Sequence, residues 1–267
     1  MTDTLPGRLL ATGIVAGYAG RQVLKQVDAL IPDGKITAMI GANGSGKSTL
    51  LRTLARIIQP VQGTVLLDGK SIFSLPGKTV ARTLALLPQN PLSPDGLTVR
   101  QLCHFGRHPH KTLLARLTAD DENIIDEALS ATGLSDLAER NLDELSGGQR
   151  QRAWIAMALA QETPLLLLDE PTTYLDIAHQ IEVLELLRKL NRTRNRTIVM
   201  VVHDLNQAAQ FADHVIALVN GAVHATGAPA DLLCPDLIRA VFGIESLVIE
   251  HPIDGTPLCL PLPEKSH

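Results

Sequence analysis

The sequence predicts an α/β chain built around a parallel sheet, on three observations. The runs KITAMI (Lys35 to Ile40), LLLLDE (Leu165 to Glu170) and TIVMVVHD (Thr197 to Asp204) are short and almost continuously apolar, as strands buried on both faces must be. Longer segments with apolar residues three and four apart, the spacing of amphipathic helices, lie between them. A chain of 267 residues with 45% hydrophobic content can also bury roughly 70–75% of the surface its unfolded form exposes, so a full core forms without staples.

Taken in order, Leu9 to Ile31 and Gly63 to Ile72 read as antiparallel strands, with Asp-Gly turns at Asp33-Gly34 and Asp68-Gly69. Arg8 followed by LLATGIVAGYAG has the outline of a secretory signal, but the run is short and broken by glycine, and it reads as an early strand ending at Gly17. Helices are expected over Leu50 to Ile58, Trp154 to Ala160 and Ile181 to Leu190, the last beginning after Asp176, a good N-cap. Between about Asn90 and Glu144 the character changes. Prolines come first, then ADDENIIDEALSATGL, with acidic residues at its start and Gly133 near its end, the pattern of a capped amphipathic helix. This block reads as a helical insertion.

Composition excludes several functions. A net charge of -4 and 3% aromatic content offer neither the basic footprint nor the stacking platforms of a nucleic-acid binder. The cysteines, Cys103, Cys234 and Cys259, are odd in number, far apart and outside any CxxC pattern, which argues against a disulfide framework or zinc site and fits a reducing compartment. No apolar run approaches the roughly 18 residues that a membrane helix needs, so any membrane link goes through a partner. Cys103, His104, His108 and His110 lie close together, but Pro109 interrupts them, and a polar face near a partner is a simpler reading than a metal site. RTRNR, Arg192 to Arg196, reads as a solvated helix end.

The chemistry concentrates in three places. GANGSGKS, Gly41 to Ser48, matches G-x-x-x-x-G-K-[ST] between a strand and a helix. Its amides would cradle phosphates, Lys47 would reach the β- and γ-phosphates, and the Ser48 hydroxyl would ligate Mg2+. Gly41, Asn43, Gly44, Ser45, Gly46, Lys47, Ser48 and the adjoining Thr49 are the nucleotide-binding candidates here. At the end of LLLLDE, Asp169 would point at the metal and Glu170 would orient and polarise the attacking water. LSGGQRQRAW, Leu145 to Trp154, holds no obvious general acid, base or nucleophile. Gly147 and Gly148 let the backbone approach something closely, and a following helix would aim its amides at that object, which should be an anion.

With VVHD at Val201 to Asp204, these motifs in this order resemble the nucleotide-binding subunits of ABC transporters, over nearly the whole chain from about Leu9 to Leu262. The resemblance implies a P-loop NTPase core with a mixed, mainly parallel sheet, an antiparallel β subdomain and an inserted α-helical subdomain. It places these in one domain, 1–267, with a nucleotide-binding core at 9–89 and 145–262 and partner contacts on about 90–144. It implies that two identical chains sandwich two MgATP head to tail, so that Ser146, Gly147, Gly148 and Gln149 serve the γ-phosphate held by the other chain. Tyr18 matches the aromatic that stacks on adenine, although a plain strand tyrosine remains open. Gln89 matches the glutamine that contacts Mg2+ and the water while its loop senses the membrane partner. His203 matches the histidine that bonds the γ-phosphate, and Asp176 the loop that crosses between subunits. Catalysis would then rest on Glu170, His203 and Gln89, and Mg2+ on Ser48, Gln89 and Asp169.

The expected partners are integral membrane permease subunits and, indirectly, a substrate-binding protein, with the ATPase peripheral on the cytoplasmic face of the inner membrane. RQRAWIAMALAQETPLLLLDEPTTYLDIAHQIEVLELL and DGTPLCLPLP resemble the ATPases of iron(III)-siderophore importers, near those for ferric enterobactin. Vitamin B12 and haem importers are close relatives. A non-transport ATPase of the same family is the remaining alternative, although such proteins usually carry two ATPase units or long coiled-coil arms and this chain has neither repeat nor heptads.

Overall fold

A computed structural model describes residues 7–18, 20–89, 91, 95–111, 117–173 and 175–263. Asn90, the expected start of the helical insertion, lies outside them. The chain divides into two compact units, Met1–Ser74 with Thr197–His267, and Leu75–Arg196.

The first unit opens with an antiparallel sheet. Strand β1 (Leu9–Tyr18) pairs with β2 (Arg21–Ile31) and β4 (Gln62–Leu67), and the short β5 (Lys70–Ser71) extends the edge. The segment with the outline of a signal is thus β1, whose Leu9, Ala11, Ile14 and Ala16 are buried, and it ends one residue beyond the expected Gly17. Asp68 and Gly69, with φ of 49° and 75°, close the β4–β5 turn as expected. Asp33-Gly34 does something else. Asp33 accepts from the Thr197 hydroxyl and the Gly34 amide donates to that hydroxyl, both at 2.8 Å, so the turn carries the chain into a different sheet.

That second sheet is the expected parallel one. Strand β3 (Ile36–Ile40), buried at every position, runs parallel to β8 (Thr197–Val201) on one side and β9 (His214–Val219) on the other, with β10 (Ala222–Gly227) antiparallel at the edge. Helix α1 (Lys47–Leu54) starts before the expected Leu50 and ends short of the expected Ile58, because Arg56 adopts φ 64° and Pro60 follows, both of which end a helix. After β8, Asp204 caps α7 (Leu205–Phe211) through the amides of Asn206 and Gln207. Helices α8 (Pro229–Leu232) and α9 (Pro235–Phe242) lead to the hairpin β11 (Ser246–Glu250) and β12 (Pro257–Pro261). The Asn206 carboxamide ties α7 to that hairpin, accepting from the Cys259 amide at 2.7 Å and donating to its carbonyl at 3.2 Å.

The second unit holds α2 (Gly77–Ala81) and a parallel pair, β6 (Leu84–Leu87) and β7 (Leu165–Leu168), the latter wholly buried. Helices α3 (Val99–Gly106) and α4 (Ala119–Ala131) pack on α5 (Gly147–Ala160). Each starts at a capping box, Thr98 with Gln101, Thr118 with Asp121 and Ser146 with Gln149, which satisfies amide donors that a helix start leaves open. Helix α6 (Ile177–Arg194) begins at its expected cap, Asp176, and extends past the expected Leu190. RTRNR is only partly the solvated end that its charge suggests. Arg194 pairs with Glu127 at 3.0 Å, but Arg196 is buried, its carbonyl held by Asn191 at 2.7 Å, and burial lowers its guanidinium pKa.

Arg107, 5% exposed, fastens the helices of this unit: it donates to Asp121 on α4 and to the Ala160 carbonyl at 2.8 Å each, and to Glu162 at 2.9 Å. Among the described residues no helix is long and apolar enough to cross a membrane.

Candidate functional site

The loop between β3 and α1 is shaped around its own backbone. Gly41 has φ 151°, and a Cβ there would lie 2.4 Å from the Leu218 carbonyl oxygen. Gly46, at φ 105°, would bring a Cβ within 2.8 Å of Leu24, so glycine is required at both ends of the loop. Lys47 is buried and donates to the carbonyls of Gly41 and Ala42 at 2.8 and 3.0 Å, drawing the loop around its ammonium. No described side chain caps α1, a feature it shares with α2, α8 and α9 but not with α3, α4, α5, α6 and α7. The buried Ser45 hydroxyl has no hydrogen-bond partner. A helix start, a buried cation and a buried hydroxyl without a hydrogen-bond partner, gathered on one glycine loop, fit a polyphosphate. Ala42, Asn43 and Gly44 are exposed, Ser48 is half-buried and Thr49 buried.

Two further predicted residues belong to this unit. Tyr18, 45% exposed at the end of β1, meets the Arg52 guanidinium at 3.4 Å, so it is not packed away as a core aromatic. His203 is exposed just beyond β8 and one residue before the Asp204 cap, where a parallel strand delivers side chains to its carboxyl end.

The second unit carries the acidic residues. Asp169 is 1% exposed at the end of β7, with its amide bonded to the Leu87 carbonyl at 2.9 Å. Glu170 follows in the left-handed region at φ 55°, a conformation that costs a non-glycine residue roughly 1–3 kcal/mol and turns the side chain off the strand. Its Oε2 accepts from the Gln89 amide at 2.5 Å and from the Thr173 hydroxyl at 2.9 Å. Gln89 and Glu170, 81 positions apart, are thereby brought together. Thr173 was not among the predicted residues; its place in the turn after Glu170 is the signal that could have marked it.

The signature opens α5. Ser146 accepts from the Gln149 amide at 3.3 Å and Gln149 accepts from the Ser146 amide at 3.1 Å, so both cap their own helix. Ser146 and Gly147 are exposed, and a Cβ on Gly147 would meet nothing within 4 Å. Gly148 differs: it is buried, with a Cβ 2.7 Å from the ring of His179. Asp176 caps α6 by accepting from the His179 amide at 2.9 Å and also meets His179 Nδ1 at 2.7 Å; these bonds lower the Asp176 pKa.

Cys103 and the nearby histidines go separate ways. Burial pushes the Cys103 thiol up to about 12, His104 faces Glu122 at 3.3 Å, the His108 ring lies 5.2 Å from Phe105, and His110 Nε2 meets the Gln161 carbonyl at 2.9 Å. Among the described residues no three His, Cys, Asp or Glu side chains could hold a metal together.

Comparison with known proteins agrees with this chemistry. The chain is 49% identical over 262 residues to the ferric enterobactin transport ATP-binding protein of Escherichia coli K12, covering 98% of this chain and 96% of that one. It is 50% identical over 244 residues to the iron(3+)-hydroxamate import ATP-binding protein of Bacillus subtilis 168, covering 91% of each. A dimeric bacterial ABC transporter cassette superposes with a TM-score of 0.73 at 27% identity, covering 82% of this chain and 98% of that one. The family model described as ABC transporter matches residues 24–173, which include the phosphate loop, Gln89, the signature, Asp169 and Glu170, and this chain belongs to that family, among its ATP-binding subunits.

Proposed function

We propose that this protein is the ATP-hydrolysing subunit of a membrane importer for iron(III)-siderophore complexes, working as a homodimer beneath two integral permease subunits. One observation carries the substrate class: near 50% identity over 91% or more of the chain to two subunits named for iron-chelate import. The energy source is ATP. The glycine loop after β3 suits its phosphates, and the buried Lys47 neutralises their charge. Mg2+ would offset the remaining phosphate charge, with the Ser48 hydroxyl after the phosphate loop as a ligand.

Within this reading Glu170 accepts a proton from the attacking water, with Gln89 and Thr173 holding its carboxylate. His203 steadies the water and the γ-phosphate, and Tyr18 stacks on adenine. The exposed Ser146 and Gly147 offer a hydroxyl and the Gly147 amide to the nucleotide of the second chain. The segment about 90–144 carries closure to the permease at the cytoplasmic face. A substrate-binding protein delivers the chelate outside, so the chelate never touches this subunit.

The test is reconstitution with the integral membrane subunits that co-purify with this chain. ATP-dependent uptake of a radioiron-loaded siderophore into proteoliposomes is the expected result. Uptake of cobalamin or haem with none of the ferric siderophore would overturn the substrate, and co-purification with ribosomes instead of a permease would overturn transport.

A further inference from the structure

The signature glycines are not equivalent. Gly147 faces open space, while Gly148 lies under the imidazole of His179, close enough that an added Cβ would stand 2.7 Å from Cδ2, 2.9 Å from Cγ and 3.3 Å from Cβ of that residue. Cγ and Cδ2 are ring atoms and Cβ is the root of the ring, so the contact is not with a side-chain tip that could swing away. The ring is held from its other edge, since His179 Nδ1 lies 2.7 Å from Asp176 Oδ1. A carboxylate only accepts, so Nδ1 carries the proton and the tautomer is set. The main-chain amide of His179 bonds to the same oxygen at 2.9 Å, and the Gln180 side chain bonds back to the Leu175 carbonyl at 3.0 Å. One turn further along the two helices, Arg152 and Glu182 approach to 3.7 Å.

We propose that His179 is a positioning residue that couples the loop ending at Asp176 to the signature, its imidazole joining Asp176 to Gly148 and so setting where the first amides of α5 point. The proposal rests on the reading of Ser146 to Gly148 as donors to a nucleotide held by the second chain, and adds how that donor is aligned. A shift of Asp176 on contact with the second chain moves the ring, and the ring is the wall against which Gly148 sits. Glycine at 148 is then required by the imidazole rather than by the helix, where alanine is favoured by about 1 kcal/mol.

The experiment measures ATP-dependent dimerisation of the full chain by sedimentation, in a Glu170→Gln background that prevents turnover, with the thermal midpoint of the nucleotide-free protein as the folding control. Gly148→Ala should weaken dimerisation about 10-fold or more, and His179→Ala by a few-fold, each leaving the nucleotide-free midpoint near that of the parent. Adding His179→Ala to Gly148→Ala should recover most of the loss, because the ring that collides with the new methyl is gone. Losses that simply multiply in the double variant would overturn the coupling. If Gly148→Ala does not fold, His179→Asn decides: it keeps a donor for Asp176 but withdraws the ring from Gly148, and it should weaken dimerisation as His179→Ala does. Parent-like dimerisation in both His179 variants would overturn the proposal. Ser146→Arg separates the two levels: if it too leaves dimerisation intact, the shared-site reading has failed and this inference with it, whereas if it abolishes dimerisation while the His179 variants do not, only the inference has failed.

Discussion

The Gln89 amide donates to Glu170 Oε2 at 2.5 Å, so a residue of the loop after β6 holds the carboxylate that the turn after β7 presents. The Thr173 hydroxyl bonds to the same oxygen, and the backbone of Glu170 is held in the left-handed region. A carboxylate fixed by two donors and a strained backbone has a defined orientation, which suits a proton acceptor better than a surface acid.

Glu170→Gln preserves the shape and removes the base. MgATP should still bind and hold the dimer closed, while phosphate release falls by about 10²–10⁴-fold. Thr173→Val probes the positioning alone: loss of one of the hydrogen bonds that orient the carboxylate should lower kcat by roughly 10-fold or more with little change in KM for ATP. Single-turnover phosphate release measures both, and wild-type release by Glu170→Gln would put the base elsewhere.

Lys47 is buried and bonded to two carbonyls of its own loop. Lys47→Ala removes the charge that faces the phosphates and the donor that draws the loop together. Each lost charged hydrogen bond is worth about 1.5–3 kcal/mol, so ATP should bind at least roughly 10- to 100-fold more weakly and hydrolysis should stop. Equilibrium binding of a fluorescent ATP analogue measures the first effect, and near-normal turnover would remove the phosphate-loop assignment.

The Arg107 fastener predicts an acid limb. The amide of Thr118 first, and then Arg107, hold the Asp121 carboxyl at about 2, below its ordinary 3.8. A lowered folded pKa stabilises at pH above the unfolded value and is lost as pH falls, so this contribution of about 2 kcal/mol should be intact above pH 4 and disappear toward pH 2. Asp121→Asn should be less stable at neutral pH, since it leaves Arg107 to Glu162 alone among carboxylates, and should lose that part of the acid slope. Urea unfolding at several pH values gives both quantities, and an unchanged slope in Asp121→Asn would refute the assignment.

What was legible in the chain follows from the range of the forces involved. Strands such as Ile36–Ile40 and Leu165–Leu168 were readable because burial on both faces leaves no polar position to alternate. The phosphate loop and the Asp176 cap were readable because their partners lie within a few residues. Asp33-Gly34 has the dipeptide of a hairpin, yet Thr197, 164 positions from Asp33, redirects it. The cap formed by Ser146 and Gln149 has the local pattern S-x-x-Q, the same residues that carry the binding motif. Arg196 looked solvated because charge alone does not reveal that Asn191 turns its backbone inward. The bonds of Arg107 to Asp121 and Glu162, and the ring of His179 on Gly148, join separate elements and leave no local pattern.

Whether the signature serves its own chain or another can be decided by mixing lesions. If each site joins Lys47 of one chain to Ser146 of the other, a heterodimer of Lys47→Ala with Ser146→Arg contains one doubly damaged site and one intact site. Trapped ATP should then reappear, although neither homodimer traps any. If the signature serves the nucleotide of its own chain, both sites of that heterodimer carry a lesion and no mixture restores trapping. Ser146 also caps α5, so Ser146→Arg costs about 1 kcal/mol of helix stability, and its unfolding midpoint must be shown to stay well above the assay temperature. Differently tagged chains purified as heterodimers, assembled with the permease where closure is favoured, are incubated with labelled ATP and washed. Occlusion is the better readout than turnover, because one good site can close without cycling efficiently. Heterodimers as inert as both homodimers would refute the shared site, and with it the role of Ser146, Gly147 and Gly148 as donors to a second chain's γ-phosphate.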